Sequence, residues 1–248
     1  MKQHFQVLKF GVLAILSLFG LLALAALLLP APQLAVPLSE STGLFLSILT
    51  ESAGMPYFLI TVLIGVGLGY AFLDNHKSWL RFVVQFGIVL TIAFSLKVGF
   101  KLLTAEPRPY VDLLVNAQVV DSVDAFYQLS KADKAEAINH VETLYGSVRV
   151  SNWLDGTNYS LPSGHSLFVA IFVFVIGGLL LQKQQWLLAT MVITWGLGVA
   201  LSRVYLGMHS YLDIFTSLLC SLISIFLLQV LLFIYQRIDS NQSASLLR

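Results

Sequence analysis

The stretch Ser202-Arg203-Val204-Tyr205-Leu206-Gly207-Met208-His209-Ser210-Tyr211-Leu212-Asp213 joins two long apolar runs, Trp186 to about Arg203 and Tyr211 to Tyr235. About 20 apolar residues suffice for a helix to span a bilayer, so each run is a candidate span. An arginine, a histidine and an aspartate therefore sit at the mouth of a membrane. Ionisable groups at that depth are costly and mark a functional site by default. His209 and Asp213 are four residues apart. On a helix they would share a face, and the carboxylate could hold the imidazole in one tautomer. An aspartate-braced histidine beside an arginine suits attack on an anionic, phosphorylated substrate.

The rest of the chain supports a membrane setting. Of its 248 residues 57% are hydrophobic and 11% charged, and the mean hydropathy is +0.83. Soluble domains carry about 25% charged residues, so the composition is that of an integral membrane protein. The net charge of +1 and the lack of a basic tract give no reason to expect nucleic acid as a partner. The one cysteine, Cys220, lies in an apolar run and is expected to be buried and inert.

Four more spans are predicted ahead of those two: Phe10 to Leu29, Pro56 to Leu73, Trp79 to Leu103 and Ser163 to Leu181. The first is too long for a signal-peptide core and reads as an uncleaved helix. The linker that follows, to about Ala53, has no Lys or Arg, which suits a non-cytoplasmic loop. Gly65 and Gly69 form a small-xxx-small pair that would let a neighbouring helix come close. Residues Thr104 to Leu161 are the only large polar region, and a loop that long should contain its own elements. There Ser130-Lys131-Ala132-Asp133 reads as a capping box, with Gly146 placed to stop the helix it starts. Gln236 to Arg248 reads as a polar tail. The fold class expected is thus a single all-α membrane domain over 1–248. It has six transmembrane helices and a partly helical extracytoplasmic region, 104–161, between the third and fourth.

Basic residues suggest the orientation. With both termini inside, the cytoplasmic segments hold Lys2, Lys9, Lys77, Arg81, Lys183, Arg237 and Arg248. The outer segments hold Arg108, Lys131, Lys134, Arg149 and Arg203, mostly in the long loop, where charge counts least. Every residue suited to chemistry then falls at the outer face.

Two further blocks converge there. Lys101 and Arg108 are seven residues apart, next to Pro107 and Pro109, which forbid helix continuation. These two cations can approach one anion from two sides, although Lys and Arg at helix ends also snorkel to headgroups. Lys97 has the weaker case and reads as accessory. Leu161-Pro162-Ser163-Gly164-His165-Ser166 opens an apolar helix, with Ser163 as a good N-cap. Its unpaired N–H groups and Gly164 make an anion site, and His165 could protonate a leaving oxygen. Trp153, Tyr110, Tyr159 and Tyr205 are read as an interfacial aromatic belt rather than a headgroup pocket, and Asn158-Tyr159-Ser160 as a site wall.

Lys101-x6-Arg108-Pro109, Pro162-Ser163-Gly164-His165 and Ser202-Arg203-x5-His209-x3-Asp213 together resemble the three signature motifs of the type 2 phosphatidic acid phosphatase family. Length, the long loop and the Glu106-Pro107-Arg108-Pro109 setting are most similar to its bacterial phosphatidylglycerophosphatase branch. The resemblance implies a metal-independent mechanism without a cofactor. His209 would form a phosphohistidine, Asp213 would orient it, and His165 would act as acid and then base. Lys101, Arg108, Ser163, Gly164 and Arg203 would bind phosphate. It also implies a lipid phosphate as substrate, phosphatidylglycerol phosphate first. Undecaprenyl diphosphate, phosphatidate and diacylglycerol pyrophosphate are also permitted. The location implied is the bacterial inner membrane, with the site facing the periplasm. The sequence shows neither an acidic cluster for magnesium nor paired cysteines for zinc. A phosphotransferase using the same histidine is the nearest rival. A non-catalytic lipid-binding protein would need the cations but not a nucleophile, an acid and an orienting carboxylate together.

Overall fold

The computed structural model describes residues 2–245, with side chains from 8 to 238, so Lys2 and Arg248 of the orientation argument lie outside the described side chains. Within those residues the chain is all helix and turn, without a strand. Among the described residues five helices are long and apolar enough to cross a membrane. They are α1 (Lys2–Leu28), α4 (His76–Thr104), the rod of α10 (Gly164–Phe172) and α11 (Gly178–Gln182), α12 (Trp186–Tyr205) and α13 (Tyr211–Ser245). The rod is continuous, because a π-helical turn, Val173–Gly177, joins its two parts.

The rod is the centre. It is apolar on all sides, from Leu167 and Phe168 to Leu180 and Leu181, and nearly every residue is buried. A helix hydrophobic all round belongs inside a bundle. α1, α4, α12 and α13 surround it, each burying one stripe and leaving the rest as an apolar outer surface. In α1 the buried stripe is Ala14, Leu18 and Leu22, at intervals of four, while Leu13, Leu16 and Leu24 are exposed. Cys220 is buried, as expected.

The expected second span is α3 (Phe58–Phe72), of 15 residues. At 1.5 Å per residue it is about 22 Å long, short of the ~30 Å hydrocarbon core. Gly65 and Gly69 do serve close packing. An added Cβ would stand 2.7 Å from Phe172 and 2.5 Å from Phe82, respectively. The linker before it contains a further helix, α2 (Glu40–Glu51), capped by Ser39 and burying Gly43, Ser47 and Thr50. At the other end of the chain α13 continues through the expected polar tail as far as Ser245, and 246–248 lie outside the described residues.

The 104–161 region folds into five short helices: α5 (Pro109–Asn116), α6 (Val123–Gln128), α7 (Lys131–His140), α8 (Glu142–Tyr145) and α9 (Ser147–Leu154). Ser130 caps α7 as predicted, accepting from the Asp133 N–H at 3.2 Å and donating to its carboxylate at 2.8 Å. Gly146 does not end that helix. α7 stops at His140, and Gly146 follows α8 at φ +85°. These helices close over a second apolar core, built on Tyr110, Phe126, Ile138 and Trp153 with Leu206 and Met208.

This core corrects the aromatic belt. Tyr110 and Trp153 are fully buried and stack at 5.0 Å, and the Trp153 indole N–H donates to the Leu206 carbonyl at 2.7 Å. They hold the polar region onto the turn after α12 and face no interface. Tyr159 stacks on Tyr127 at 4.4 Å, and the Tyr205 hydroxyl donates to the Pro30 carbonyl at 3.1 Å. Arg149, 2% exposed, gives the same region its second anchor by donating to the carbonyls of Gln33, Leu34, Val36 and Tyr205.

Candidate active site

α12 ends at Tyr205, and the chain turns through Gly207, whose φ of +75° favours a residue without a Cβ. The Met208 and His209 N–H groups both donate to the Arg203 carbonyl, at 3.0 and 3.2 Å. The turn thereby points His209 back under the second core. Ser210 then caps α13. Its N–H donates to Asp213 Oδ2 at 2.7 Å, and its hydroxyl accepts from the Asp213 N–H at 3.2 Å. This reciprocal capping box sets the carboxylate in place. His209 therefore precedes the helix and does not share a helical face with Asp213, as the spacing suggested.

The two meet nonetheless, through an intermediary. His209 Nδ1 stands 3.5 Å from Asp213 Oδ2. Between them sits the Ser160 hydroxyl, 3.0 Å from Nδ1 and 2.6 Å from Oδ2. On the other side of the ring, Arg108 Nη1 lies 3.2 Å from Nε2. A guanidinium only donates, so Nε2 carries the lone pair and the ring hydrogen is on Nδ1. His209 and Asp213 are 2% and 1% exposed. Burial, and then the charges of Arg108, Arg203, Lys101 and Lys97, hold the His209 pKa well below the ordinary imidazole value. The ring is neutral at physiological pH, with the lone pair on Nε2 that nucleophilic attack needs.

The cations come from three elements. Lys101, in the last turn of α4, donates to the carbonyls of Tyr159 and Ser160. Arg108 donates through Nε to the Asn158 carbonyl and through Nη2 to its side-chain oxygen, both at 2.7 Å. Its Nη1 also reaches the Met208 carbonyl, at 3.0 Å. Arg203 donates through Nη1 to Thr50 Oγ1 at 2.7 Å, while its Nε is buried with no partner among the described residues. The first motif and the Asn158–Ser160 segment are thus laced together directly against His209.

Ser163 is the N-cap of α10, accepting from the Ser166 N–H at 3.3 Å, and is fully buried. Gly164 begins the helix, and an added Cβ there would stand 3.2 Å from Lys97 Nζ. Lys97 thus lies against the N-terminal end of α10. His165 makes no hydrogen bond among the described residues, and its Nε2 faces Gly54, where an added Cβ would be only 2.6 Å away. All eight residues singled out by the sequence gather at one end of the bundle. Among the described residues no cluster of His, Cys, Asp or Glu could hold a metal ion.

Three contributors went unread. Ser160 was assigned only to a wall, Thr50 lay in a linker, and Gly54 fell between that linker and the second span. The Ser210-x-x-Asp213 capping box was legible as a pattern. Nothing in the sequence tied Thr50 to Arg203 across 153 positions.

Fold and site together define a helical, multi-pass membrane protein with a buried histidine ringed by cations. Residues 82–237 match the PAP2 superfamily, and the chain belongs to that family. It is 33% identical to phosphatidylglycerophosphatase B of Haemophilus influenzae over 184 residues, 71% of this chain and 76% of the relative. It is 32% identical to phosphatidylglycerophosphatase B of Escherichia coli K12 over 203 residues, 76% and 74% of the two chains. Similarity extends to the lipid A 1-phosphatase of Helicobacter pylori, 29% identical over 150 residues, 60% of this chain and 72% of that one. The matched 82–237 segment holds all three motifs; Thr50 and Gly54 lie outside it.

Proposed function

We propose that this protein hydrolyses the phosphate monoester or diphosphate of a membrane lipid through a phosphohistidine on His209. The observation that carries the reading is the buried neutral His209, with its Nδ1–H directed to Ser160 and Asp213 and its Nε2 lone pair against Arg108. As phosphate enters, its oxygens replace Nε2 as acceptor for the Arg108 N–H, freeing the lone pair for phosphorus. Nε2 forms the new P–N bond as the P–O bond to the leaving group breaks, and His165 supplies the proton to that oxygen. His165 then takes a proton from water, whose oxygen bonds to phosphorus as the P–N bond breaks, returning the electron pair to Nε2 and releasing inorganic phosphate. Lys101, Arg108, Arg203, Ser163 and the Gly164 N–H hold the phosphoryl oxygens. Losing one such preorganised donor typically costs about 100–1,000-fold in rate.

Phosphatidylglycerol phosphate is the first choice of substrate, on the names of the relatives. Lipid A 1-phosphate follows from the Helicobacter relative, and undecaprenyl diphosphate, phosphatidate and diacylglycerol pyrophosphate remain in the panel. Metal independence belongs to the same proposal, because the cations supply the charge that a metal would.

The protein would sit in the bacterial inner membrane with six spans, termini in the cytoplasm and the site at the periplasmic face. Supporting six is the course of α3. Gly54, just ahead of it, packs on His165 at the site, whereas Asp74, just after it, pairs with Lys183 at 2.7 Å at the far end of the rod. A helix that runs between the two ends of the rod, however short, supports a sixth span. Reporter fusions at the two termini and in the 104–161 region test the orientation.

The test of function is phosphate release by the purified protein in detergent, with chelator present, across that panel. Turnover that is abolished in His209→Ala, with the fold retained, is expected. Substantial activity in that variant would remove the nucleophile assignment, and loss of activity with chelator would remove metal independence. Release only to an added alcohol acceptor would make the protein a phosphotransferase. No turnover with any lipid or acceptor would leave a binding protein.

A further inference from the structure

We propose that Ser160 is a positioning residue, a hydroxyl relay through which Asp213 orients and electrostatically supports His209. The argument begins with a distance. At 3.5 Å the His209 and Asp213 side chains are too far apart for a good direct hydrogen bond. The Ser160 hydroxyl fills the gap with two contacts of ordinary length, 3.0 Å to Nδ1 and 2.6 Å to Oδ2.

The directions of those contacts are fixed by chemistry. Arg108 donates to Nε2, so the imidazole hydrogen is on Nδ1 and must donate to the serine oxygen. The serine has one hydrogen, and its shortest contact is with the carboxylate. The chain therefore runs from Nδ1–H to Ser160 Oγ, and from Ser160 O–H to Asp213 Oδ2. It locks the tautomer that leaves Nε2 unprotonated. When Nε2 bonds to phosphorus the ring keeps its Nδ1 hydrogen and becomes cationic, and no proton leaves it. The hydroxyl dipole, already aligned by the carboxylate, stabilises that charge in a buried site where such dipoles act strongly.

The surroundings hold Ser160 for this task. It is fully buried. Its N–H donates to the Glu106 carbonyl at 2.7 Å, and its own carbonyl accepts from Lys101 at 3.1 Å. Both partners belong to the first motif segment, so that segment also positions the relay.

This proposal rests on His209 being the nucleophile, and the experiment separates the two. Parent, Ser160→Ala, Ser160→Cys, Asp213→Asn and the Ser160→Ala/Asp213→Asn double variant are purified in detergent. The kcat and KM of each are measured on the best lipid phosphate, with thermal unfolding as the check on folding. The relay predicts that Ser160→Ala lowers kcat about 10–100-fold, the range for losing an outer-shell hydrogen-bond partner, with little change in KM. It also predicts that the double variant is scarcely slower than Asp213→Asn, because the serine acts only through the carboxylate. Ser160→Cys, of similar size and with a poorer donor, should show the same kcat-selective loss, and it decides the matter if the alanine variant does not fold. Near-parental kcat in a folded Ser160 variant overturns the relay. So do losses that multiply in the double variant, or a loss confined to KM. A parent that releases no phosphate overturns the functional reading itself, and the relay with it.

Discussion

The wall opposite His165 offers a sharp test of whether that imidazole works where it stands. Gly54 lies beside the ring, and a Cβ built on it would be 2.6 Å from Nε2, where ordinary contact begins at 3.4 Å. Replacing Gly54 with alanine must therefore drive the two apart by about 0.8 Å, the difference between those distances. The backbone does not resist the change, since Gly54 is not among the glycines with positive φ. The nearest other atom, the Thr50 carbonyl oxygen, would be at an acceptable 3.5 Å. The strain thus falls on the imidazole. A misplacement of about 1 Å can cost about 100-fold in rate, or about 2.7 kcal/mol at 1.36 kcal/mol per factor of ten. Gly54→Ala should lower kcat by about 10–100-fold while leaving KM and the unfolding temperature close to those of the parent. Phosphate release under saturating lipid, with a thermal melt in the same detergent, measures both. A folded Gly54→Ala protein with kcat within about twofold of the parent would refute the assignment of His165 Nε2 as the proton-transferring atom in this position.

Other outcomes follow from the same geometry. Thr50→Val removes the acceptor for Arg203 Nη1 and leaves a buried guanidinium N–H unpaired; at about 1–3 kcal/mol for such a group, kcat/KM should fall by roughly tenfold, measured on the same lipid. The proposed attack requires a neutral His209, and burial and the surrounding cations lower its pKa. The acid limb of kcat/KM should therefore lie below the ordinary imidazole value of about 6.5, and a limb at or above it would contradict the buried, cation-ringed site. Because the folded pKa is the depressed one, the stability His209 contributes is complete above the unfolded value and declines as pH falls below it; His209→Gln should flatten that decline in a melt series. Arg149→Met should unfold several degrees earlier, because it frees four backbone carbonyls that now share one buried guanidinium; an unchanged melt would show that the 33–36 loop is held by something else.

How far the sequence could be read depended on the range of the interactions. The bundle was legible because its signal is local: each long apolar run reports its own burial in lipid or protein. The site was legible as composition, since charges gathered at one membrane face are too costly to be incidental. Ser130 announced its helix for the same reason, with donor and acceptor three residues apart. The misreadings share one cause. Tyr110 and Trp153 are amphipathic rings that suit an interface or a core equally well, and only the fold of 104–161 chose the core. His209 and Asp213 have the spacing of helical neighbours, but Gly207 and the Ser210 cap put the helix start between them. Ser160, Thr50 and Gly54 are ordinary residues made important by partners 53, 153 and 111 positions away, respectively Asp213, Arg203 and His165. Such residues carry no pattern of their own. Two of them lie outside the segment that the family match covers. The family match therefore says nothing of Thr50 and Gly54, and their part in the site rests on their contacts with Arg203 and His165 alone.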